Sequence, residues 1–476
     1  MNVELVELAA TAISQWLPPA STVVIGRDAR HGSADFANVT ARVLHAGGHR
    51  VQMFSEPVPT PVVAHRVGST DAAAGVMVTA SHNPATDNGY KVYTAGGGQL
   101  LGDDAAVIEA SMAALRWPHD VDTTPRGDIE ALGRAELDAY LETISTSVGR
   151  METAQRSVVV AYTAMHGVGG ALFQQTLERA GHRVHSVTEQ HDPNPDFPTA
   201  PFPNPEEPGT LDLVMALADD VDADIILAHD PDADRLAVAI PDEQGWKPLT
   251  GDQIGVLLGW YVLANDSSPC TVASSIVSST LLGKLASARG VRHVSTLTGF
   301  KWLARAGNES APLVFAYEEA LGYSVVPEIR DKDGISAGLA FVNLVAWLDS
   351  QGRTVTDVLA EIGEEFGHHL TSQISVRFDG NDPMSAMTAI MDQLRQTPPT
   401  QIGSFEMTAL DDLERGGDGL DPANVLRFHL DGARLIIRPS GTEPKIKAYL
   451  EVVSADYSRA NDQLQDLEAG VRSLLQ

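Results

Sequence analysis

The chain has 476 residues, more than one hydrophobic core usually organises, and this length predicts about three or four domains. Its formal net charge of −30 argues against a nucleic-acid partner, because affinity for the phosphate backbone comes mainly from Lys and Arg. The longest apolar stretch, near residues 256–264, is far short of the roughly 20 residues that a membrane helix needs, so no membrane partner is expected.

Two further features of the composition bear on location. Residues 1–7 are acidic and amphipathic and lack the basic and apolar regions of a secretory signal, which favours a cytoplasmic protein. The single cysteine, Cys270, excludes an internal disulfide and a thiolate zinc site, and is expected to be a buried structural thiol.

Lysine is scarce in this acidic chain, and most lysines lie beside Gly, Ser or Thr clusters. They are Lys91, Lys247, Lys284, Lys301, Lys332, Lys445 and Lys447. This placement suggests local anion sites inside an acidic shell, with a small phosphorylated molecule as the ligand.

An internal repeat organises the first three quarters of the chain. Strand-like residues 22–26 are followed by a helical stretch and a second strand at 46–51, and the pattern recurs at 158–184 and, more weakly, at 272–294. Such strand–helix–strand units give mostly parallel sheets with helices on both faces.

Each repeat is followed by an apolar run, a polar loop and another apolar run. The loops lie at residues 79–84, 229–235 and 317–323. Because α/β sheets bind ligands beyond the carboxyl ends of their strands, we expect the chemistry to lie in these loops.

From about residue 373 the pattern changes to alternating strands, which predicts a separate tail domain. The sequence therefore predicts an α/β fold of three repeated mixed α/β domains plus a C-terminal α+β domain. Their expected limits are 1–150, 151–265, 266–370 and 371–476. The Pro-rich segment 192–208 is expected to be a long surface loop of the second domain.

The second loop carries Asp230, Asp232 and Asp234 at alternate positions, so that their carboxylates can converge on one cation. Oxygen ligands favour magnesium, calcium or manganese over zinc. A calcium EF-hand is excluded by Arg235 and Pro241, which stand where that motif has Gly and Glu. The alternative is an Asp-rich turn that satisfies its own backbone.

The first loop places Ser81 just after a strand, with His82 beside it and no acidic residue before Asp87. Ser81 is a candidate nucleophile, although a capping serine is the alternative and His82 can be a core histidine. No Gly-x-Ser-x-Gly elbow surrounds Ser81, which disfavours a hydrolase triad. Lys91 follows Asn88-Gly89-Tyr90 and lies among glycines in a chain with few lysines, so it is a better candidate for a functional role.

Two more segments suggest ligand binding. Residues 438–445, Arg-Pro-Ser-Gly-Thr-Glu-Pro-Lys, combine cations, hydroxyls and a Gly turn, which is typical of an anion nest without P-loop spacing. Glu318 and Glu319 in the third loop can accept hydrogen bonds from sugar hydroxyls, and exposed surface glutamates are the alternative.

Taken together, these segments resemble the α-D-phosphohexomutase superfamily over nearly the whole chain. The resemblance implies a phosphoserine at Ser81, magnesium on Asp230, Asp232, Asp234 and the serine phosphate, and a general acid/base at Lys91. It also implies catalytic roles for His82 and Arg235, and substrate binding by Arg27, Lys301, Glu318, Glu319, Lys332, Arg438, Ser440, Gly441, Thr442 and Lys445. Residues 87–91, 298–302 and 330–334 look most like the phosphoglucomutase/phosphopentomutase subfamily.

This sequence departs from the superfamily pattern in two places. Ala320 stands where phosphoglucomutases and phosphomannomutases carry Ser, which leaves the preferred sugar open. Members usually begin with a Gly-Thr-x-Gly-x-Arg-Gly strand before a helix like 3–16, so we expect the first domain to be short of a strand and of its arginine. Arg27 and Arg30 are not expected to make up for that arginine in full.

The implied reaction is a mutase reaction on a sugar 1-phosphate and 6-phosphate of glucose or mannose, with magnesium and a sugar 1,6-bisphosphate. Burial among cations is expected to lower the pKa of Lys91 toward the working range. The alternatives are a phosphopentomutase, a phosphatase or phosphotransferase with a nucleophilic Asp230, and a phosphosugar-binding protein without activity.

Overall fold

The computed structural model of the protein describes residues 1–124, 127–148, 156–265, 269–378, 382–440 and 444–475. These residues form four β-sheets that follow one another along the chain, three of mixed direction with helices and a last one that is antiparallel. The predicted fold class is confirmed. The limits between the four domains stay a prediction; the first strand of the fourth sheet starts at His368, just before the predicted limit.

The first sheet has the strand order β4-β3-β1-β2-β5, in which β4 is antiparallel to β3 and the other neighbours are parallel. The helix expected at 3–16 is confirmed as α1. In chain order the elements are α1 (Val3–Trp16), β1 (Thr22–Arg27), α2 (Ser33–Ala46), β2 (Arg50–Phe54), α3 (Thr60–Gly68), β3 (Ala74–Val78), β4 (Tyr90–Thr94), α4 (Gly102–Ala114), β5 (Glu130–Leu132) and α5 (Arg134–Val148).

The second sheet repeats this plan, with the order β10-β9-β8-β6-β7. Strands β6, β7 and β8 are parallel, and β9 turns back antiparallel to β8. The elements are β6 (Val159–Thr163), α6 (Gly170–Arg179), β7 (Arg183–Ser186), α7 (Thr188–His191), α8 (Asp212–Asp220), β8 (Ile225–Ala228), β9 (Ala237–Asp242), β10 (Gly245–Pro248) and α9 (Gly251–Asn265).

The third sheet has the order β12-β11-β13-β14, again with an antiparallel last pair. Helix α12 contacts α5, α6 and α9, and is buried on nearly every side because it is apolar all round. The elements are β11 (Thr271–Ser275), α10 (Leu281–Ala288), β12 (Arg292–Thr296), α11 (Phe300–Leu303), β13 (Leu313–Glu318), β14 (Gly322–Ser324), α12 (Gly334–Ser350) and α13 (Val355–Phe366).

The fourth sheet is antiparallel throughout, with the order β15-β20-β19-β18-β17-β16. A short 3-10 helix, Leu413–Arg415, follows β17. The elements are β15 (His368–Arg377), α14 (Pro383–Gln396), β16 (Gln401–Ile402), β17 (Phe405–Asp412), β18 (Leu426–Leu430), β19 (Ala433–Pro439), β20 (Lys445–Ser454) and α15 (Tyr457–Leu474).

The same hairpin closes each of the first three sheets. A buried parallel strand, β3, β8 or β13, ends in a polar loop and returns as an antiparallel strand. Each loop contains a non-glycine residue with positive φ: Ser81 at 51°, Ala233 at 54° and Leu321 at 62°. Such residues are uncommon and gather at functional sites, which supports the prediction that the chemistry lies in these loops.

The first three domains share one apolar core, whereas the fourth has a separate one. One cluster of buried side chains draws members from the first three domains, for example Val24, Val160 and Phe315. The fourth sheet has a core of its own, and Ile436 and Tyr449 join it to Ile276 and Val277 of the third domain in a smaller cluster. The fourth domain is therefore the more weakly attached part of the described chain.

A partly buried ion pair supplements that apolar contact. Glu451 on β20 lies 3.0 Å from Arg434 and accepts hydrogen bonds from Ser279 Oγ (2.7 Å) and Thr280 N (2.8 Å) of the third domain. Arg434 in turn donates to the carbonyls of Ile276 and Ser278. Burial alone would raise the pKa of Glu451, but His369 and Arg434 outweigh it and lower the pKa to about 2. The carboxylate therefore stays ionised and links the third and fourth domains.

We expect Glu451→Ala to loosen the fourth domain, because Arg434 loses its counter-ion and Ser279 and Thr280 lose the acceptor that joins them to β20. Hydrogen–deuterium exchange followed by mass spectrometry should show faster exchange in peptides covering 368–377 and 445–454. Asp138→Ala, which removes an exposed ion pair with Arg134, should change little. Equal exchange in the two variants would contradict the proposed role of Glu451 in holding the fourth domain to the third.

In the described residues, no helix combines the length and the apolar character needed to cross a bilayer.

Candidate active site

The first and second loops meet at Ser81. Its hydroxyl donates to Asp230 Oδ2 at 2.9 Å, although the two residues are 149 positions apart in the chain. The Ser81 backbone N–H donates to Thr79 Oγ1 at 3.0 Å, which helps hold the left-handed turn at the serine. Gly89 closes the base of the loop, where a Cβ would lie only 2.3 Å from the Thr79 carbonyl oxygen. The loop thus presents the hydroxyl to the Asp cluster.

The three carboxylates of the second loop converge as predicted. Asp230, Asp232 and Asp234 are fully buried, and one oxygen of each lies within 4.8 Å of the others. Burial and the two neighbouring carboxylates raise the pKa of Asp230 well above its ordinary value. Burial would likewise raise the pKa of Asp232, but Lys91 outweighs that effect and the pKa is lowered.

This cluster fits a divalent metal ion. Asp232 Oδ1 and Asp234 Oδ1 are buried and receive no hydrogen bond from the described part of the chain. Buried polar atoms without partners are costly, and carboxylate oxygens are the ligands that hard divalent cations prefer. The structure thus favours a cation site over the alternative of a turn that satisfies only its own backbone.

Cations from two other domains surround the cluster. Lys91 on β4 lies 2.7 Å from Asp232 Oδ2 and 2.6 Å from Asp234 Oδ2, and Lys332 lies 2.8 Å from Asp234 Oδ2. The Arg235 guanidinium is 3.9 Å from Asp230. The site therefore joins a first-domain lysine, a second-domain loop and a third-domain lysine.

The expectation for the pKa of Lys91 is wrong. Burial by itself would lower this pKa, but Asp232, Asp234 and Asp331 outweigh burial and raise the pKa above its ordinary value. The motifs predict cations around Lys91, whereas the fold surrounds its ammonium with carboxylates. Lys91 is therefore an ammonium ion in this arrangement.

His82 is held as a neutral imidazole. Its Nδ1 lies 3.4 Å from Ser81 Oγ. Burial, reinforced by the positive charge of Arg235, lowers the pKa of His82 to about 2. The ring can exchange hydrogen bonds with the serine without adding a charge to the site.

The two glutamates of the third loop have different surroundings. Glu318 Oε1 accepts a hydrogen bond from the Gly299 N–H at 2.7 Å. Glu319 Oε2 accepts from Ser275 Oγ at 3.1 Å and Ser278 Oγ at 3.3 Å. Burial, with Glu318 nearby, raises the pKa of Glu319 to about 7. Glu319 can thus change protonation near neutral pH.

The predicted anion nest lies at the junction of β19 and β20. Arg438 donates to Thr298 Oγ1 of the third domain at 2.6 Å, and the Ser440 N–H donates to the Lys445 carbonyl at 2.8 Å. Gly441 and Thr442 lie outside the described residues. Arg438 contacts Thr298 and Glu318 contacts Gly299, so the anion nest and the third loop lie on either side of the same segment.

Two candidates are less directly connected to this cluster. Arg27 ends β1 and donates to the Ser55 carbonyl at 3.3 Å. Lys301 places its ammonium 5.6 Å from the centre of the Trp302 ring, while its carbonyl accepts from Arg305 at 2.6 Å. Their predicted role in substrate binding stays a prediction.

Sequence reasoning missed several residues that contact the site. Thr60, at the start of α3, donates to Asp232 Oδ2 at 2.6 Å. Lys447 lies on the same face of β20 as Lys445, and burial and the charge of Lys445 lower its pKa, although Glu319 and Glu206 partly oppose this. The one signal in the sequence was the threonine between two prolines at 59–61, which is typical of a helix start. Nothing local indicated its partner.

Models of four consecutive domains of one family match the chain in order. They are phosphoglucomutase/phosphomannomutase domain I at 1–118, domain II at 138–245, domain III at 250–366 and the C-terminal domain at 375–469. The chain belongs to the phosphoglucomutase/phosphomannomutase family. Members of this family are phosphomutases, enzymes of the isomerase class, and the predicted superfamily is confirmed.

Individual relatives agree with this placement. A protein of Haemophilus influenzae named "Probable phosphomannomutase" is 41% identical, with 100% of this chain and 98% of that protein covered. A Schizosaccharomyces pombe protein named "Probable phosphoribomutase" is 36% identical, with 93% and 81% covered. A solved phosphoglucomutase/phosphomannomutase family protein of Burkholderia thailandensis has the same fold, with a TM-score of 0.74, 19% identity, and 99% and 93% of the chains covered.

We expect Thr60→Val to weaken divalent metal binding about 10–100-fold, because Asp232 loses the hydroxyl that orients it. Titration of the purified protein with Mn²⁺, followed by calorimetry, measures this without reference to turnover. Thr176→Val is the matched control, since its buried hydroxyl contacts only a carbonyl within α6. Unchanged affinity in Thr60→Val would show that the contact does not orient the ligand.

Proposed function

We propose that the protein is a phosphosugar mutase that interconverts sugar 1-phosphates and 6-phosphates, with glucose, mannose or both as the sugar. The observation that carries the proposal is the 2.9 Å contact between Ser81 Oγ and Asp230, inside a buried cluster of carboxylates and cations. Phosphoryl transfer needs positioning and charge neutralisation more than covalent assistance, and this cluster offers both.

The charged groups divide into two sets. Asp230, Asp232, Asp234 and the oxygen on Ser81 would hold Mg²⁺, which when bound would neutralise negative charge on the transferring phosphoryl group. Arg235 and Lys332, which lie beside these carboxylates, would bind phosphoryl oxygens directly.

The reaction proceeds in two transfers. In the first, an oxygen of a sugar hydroxyl bonds to the phosphorus of phospho-Ser81 as the bond to Ser81 Oγ breaks, and the hydroxyl proton leaves to a base. The sugar bisphosphate then turns over. In the second, Ser81 Oγ bonds to the other phosphorus and the sugar oxygen departs with a proton. The 1,6-bisphosphate is thus the intermediate and, added in trace, an activator that phosphorylates Ser81.

Lys91 is proposed to move the proton of the sugar hydroxyl. As an ammonium ion it can donate to the departing sugar oxygen in the second transfer. In the first transfer it accepts the proton as the neutral amine, which requires that it first lose contacts to Asp232 or Asp234 and release a proton to solvent. His82, neutral and 3.4 Å from Ser81 Oγ, orients the serine oxygen.

The remaining residues are proposed to bind the substrate. Glu318 and Glu319 accept hydrogen bonds from sugar hydroxyls, and Arg27 and Lys301 complete the substrate-binding set on the first and third domains. The non-reacting phosphate binds to the nest on the fourth domain, formed by Arg438, Ser440, Gly441, Thr442 and Lys445. A weakly attached fourth domain could rock to let one nest hold either phosphate in turn.

A phosphopentomutase is the second candidate function. Supporting it are the phosphoribomutase relative and Ala320, which stands where phosphoglucomutases and phosphomannomutases carry Ser. Ribose 1-phosphate would then be converted to the 5-phosphate by the same residues.

Phosphorus NMR should decide the reaction and the sugar. We expect the purified protein, with Mg²⁺ and a trace of sugar bisphosphate, to move the signal of glucose or mannose 1-phosphate to that of the 6-phosphate. Conversion of ribose 1-phosphate in preference to both would establish the pentose function instead. A folded protein that shifts none of these signals, although it binds the sugar phosphates, would be a binding protein and would refute the mutase.

Ser81→Ala should lower turnover by about 10³-fold or more, because the covalent carrier is lost. Ser21→Ala, at a partly exposed serine whose hydroxyl donates to the Pro18 carbonyl, should behave as the wild type. Mass spectrometry after incubation with bisphosphate should locate the phosphoryl group on Ser81. A phosphoryl group on Asp230 would support a phosphatase or phosphotransferase and would exclude the serine mechanism.

A further inference from the structure

Arg30 occupies an unusual position beneath the loop that carries Ser81. Its Nη2 donates to the carbonyls of Ser81 and Asn83, both at 2.6 Å, and its Nη1 donates to the carbonyls of Pro84 (2.7 Å) and Asp87 (3.4 Å). One guanidinium group therefore reaches four backbone oxygens of a single loop.

The guanidinium is itself fixed from two sides. Asp28 Oδ2 lies 3.1 Å from its Nε, and Asp28 is held by Ser33 Oγ at 2.6 Å. The ring of Phe197 covers its face at 4.9 Å. Phe197 belongs to the Pro-rich segment 192–208, which is thus partly buried against the first domain and is more than a surface loop.

The geometry does not suit a substrate-binding arginine. Arg30 is only 3% exposed, and both terminal nitrogens are already engaged with carbonyl oxygens. Four carbonyls that converge on one point would repel each other without a donor between them, and a buried carbonyl without a partner is costly. Arg30 therefore supplies side-chain donors to all four of these carbonyls, of which that of Pro84 also accepts the Asp87 N–H at 3.0 Å.

We propose that Arg30 is a positioning residue for the phosphoryl-transfer reaction, and that it fixes the loop conformation in which Ser81 faces the carboxylate cluster. This inference rests on the proposed function, in which Ser81 carries the phosphoryl group. Ser81 has a φ of 51°, which an L residue adopts at a cost. The hydrogen bond from Arg30 to the Ser81 carbonyl helps to hold the serine in this conformation.

The planar fork of arginine is essential to this role. A lysine ammonium keeps the charge but presents a single nitrogen, so it cannot reach all four carbonyls of the loop. Arg30→Lys should therefore keep the fold and lose the loop order. A displacement of about 1 Å at the reacting oxygen lowers turnover on the order of 10²-fold.

The test compares Arg30→Lys with the wild type in two independent measurements. Hydrogen–deuterium exchange should become faster in a peptide covering residues 80–89 and stay unchanged in peptides of the fourth domain. In the mutase assay, kcat should fall by about 10²-fold while KM changes little, because the guanidinium contacts the loop and not the ligand.

Arg289→Lys is the matched control. Arg289 also donates to a carbonyl, that of Trp260 at 3.1 Å, and lies over the Trp260 ring at 5.9 Å, far from the loop. The same chemical change there should leave exchange at 80–89 and kcat unaltered.

The outcomes separate the two proposals. Unchanged exchange at 80–89, or a raised KM with unchanged kcat, would overturn the positioning role. Faster exchange at 80–89 in a protein whose wild type converts no sugar phosphate would refute the proposed function while leaving the hold of Arg30 on the loop established. Should Arg30→Lys fail to fold, Phe197→Leu, which removes only the ring over the guanidinium, must show faster exchange at 80–89 for the proposal to stand.

Discussion

The crowding of three buried carboxylates is the constraint on which the rest of the site depends. Asp230, Asp232 and Asp234 repel one another strongly at these separations in a low-dielectric environment. The fold offsets this repulsion with Lys91 from the first domain and Lys332 from the third, and leaves two carboxylate oxygens without a hydrogen bond from any described residue. The electrostatic requirement of a cation site thus also joins three domains.

The same strand–loop–strand hairpin carries a different set of side chains in each of the first three domains. Each of the first three sheets ends in a parallel strand, a polar loop and an antiparallel return, and each loop has a residue with positive φ. The hairpin keeps the loop at the carboxyl edge of its sheet, while its side chains are free to differ. The first loop supplies a hydroxyl, the second supplies carboxylates, and the third supplies glutamates that face the fourth domain.

The fourth domain contacts the third through an ion pair at Glu451 and only a small apolar cluster among the described residues. Along one face of β20, alternate residues pass from Glu451, in the ion pair, through Tyr449, in the small apolar cluster, to Lys447 and Lys445 beside the nest. Because side chains alternate along a strand, this one face connects the ion pair to the end where the phosphate is proposed to bind. A motion about the Glu451 end would displace the nest while the ion pair stays intact.

The sequence by itself determined the order of the repeats and the fold class, and it selected Ser81 and the three aspartates as site candidates, because strand periodicity and local spacing are properties of short segments. The charge around Lys91 was misjudged, and the roles of Thr60 and Arg30 were not seen. Their partners are Asp232, 172 positions away, and a loop more than 50 positions away, so only tertiary structure brings them together. The pKa of a lysine depends on the charges packed around it, and those are decided by how the three domains meet.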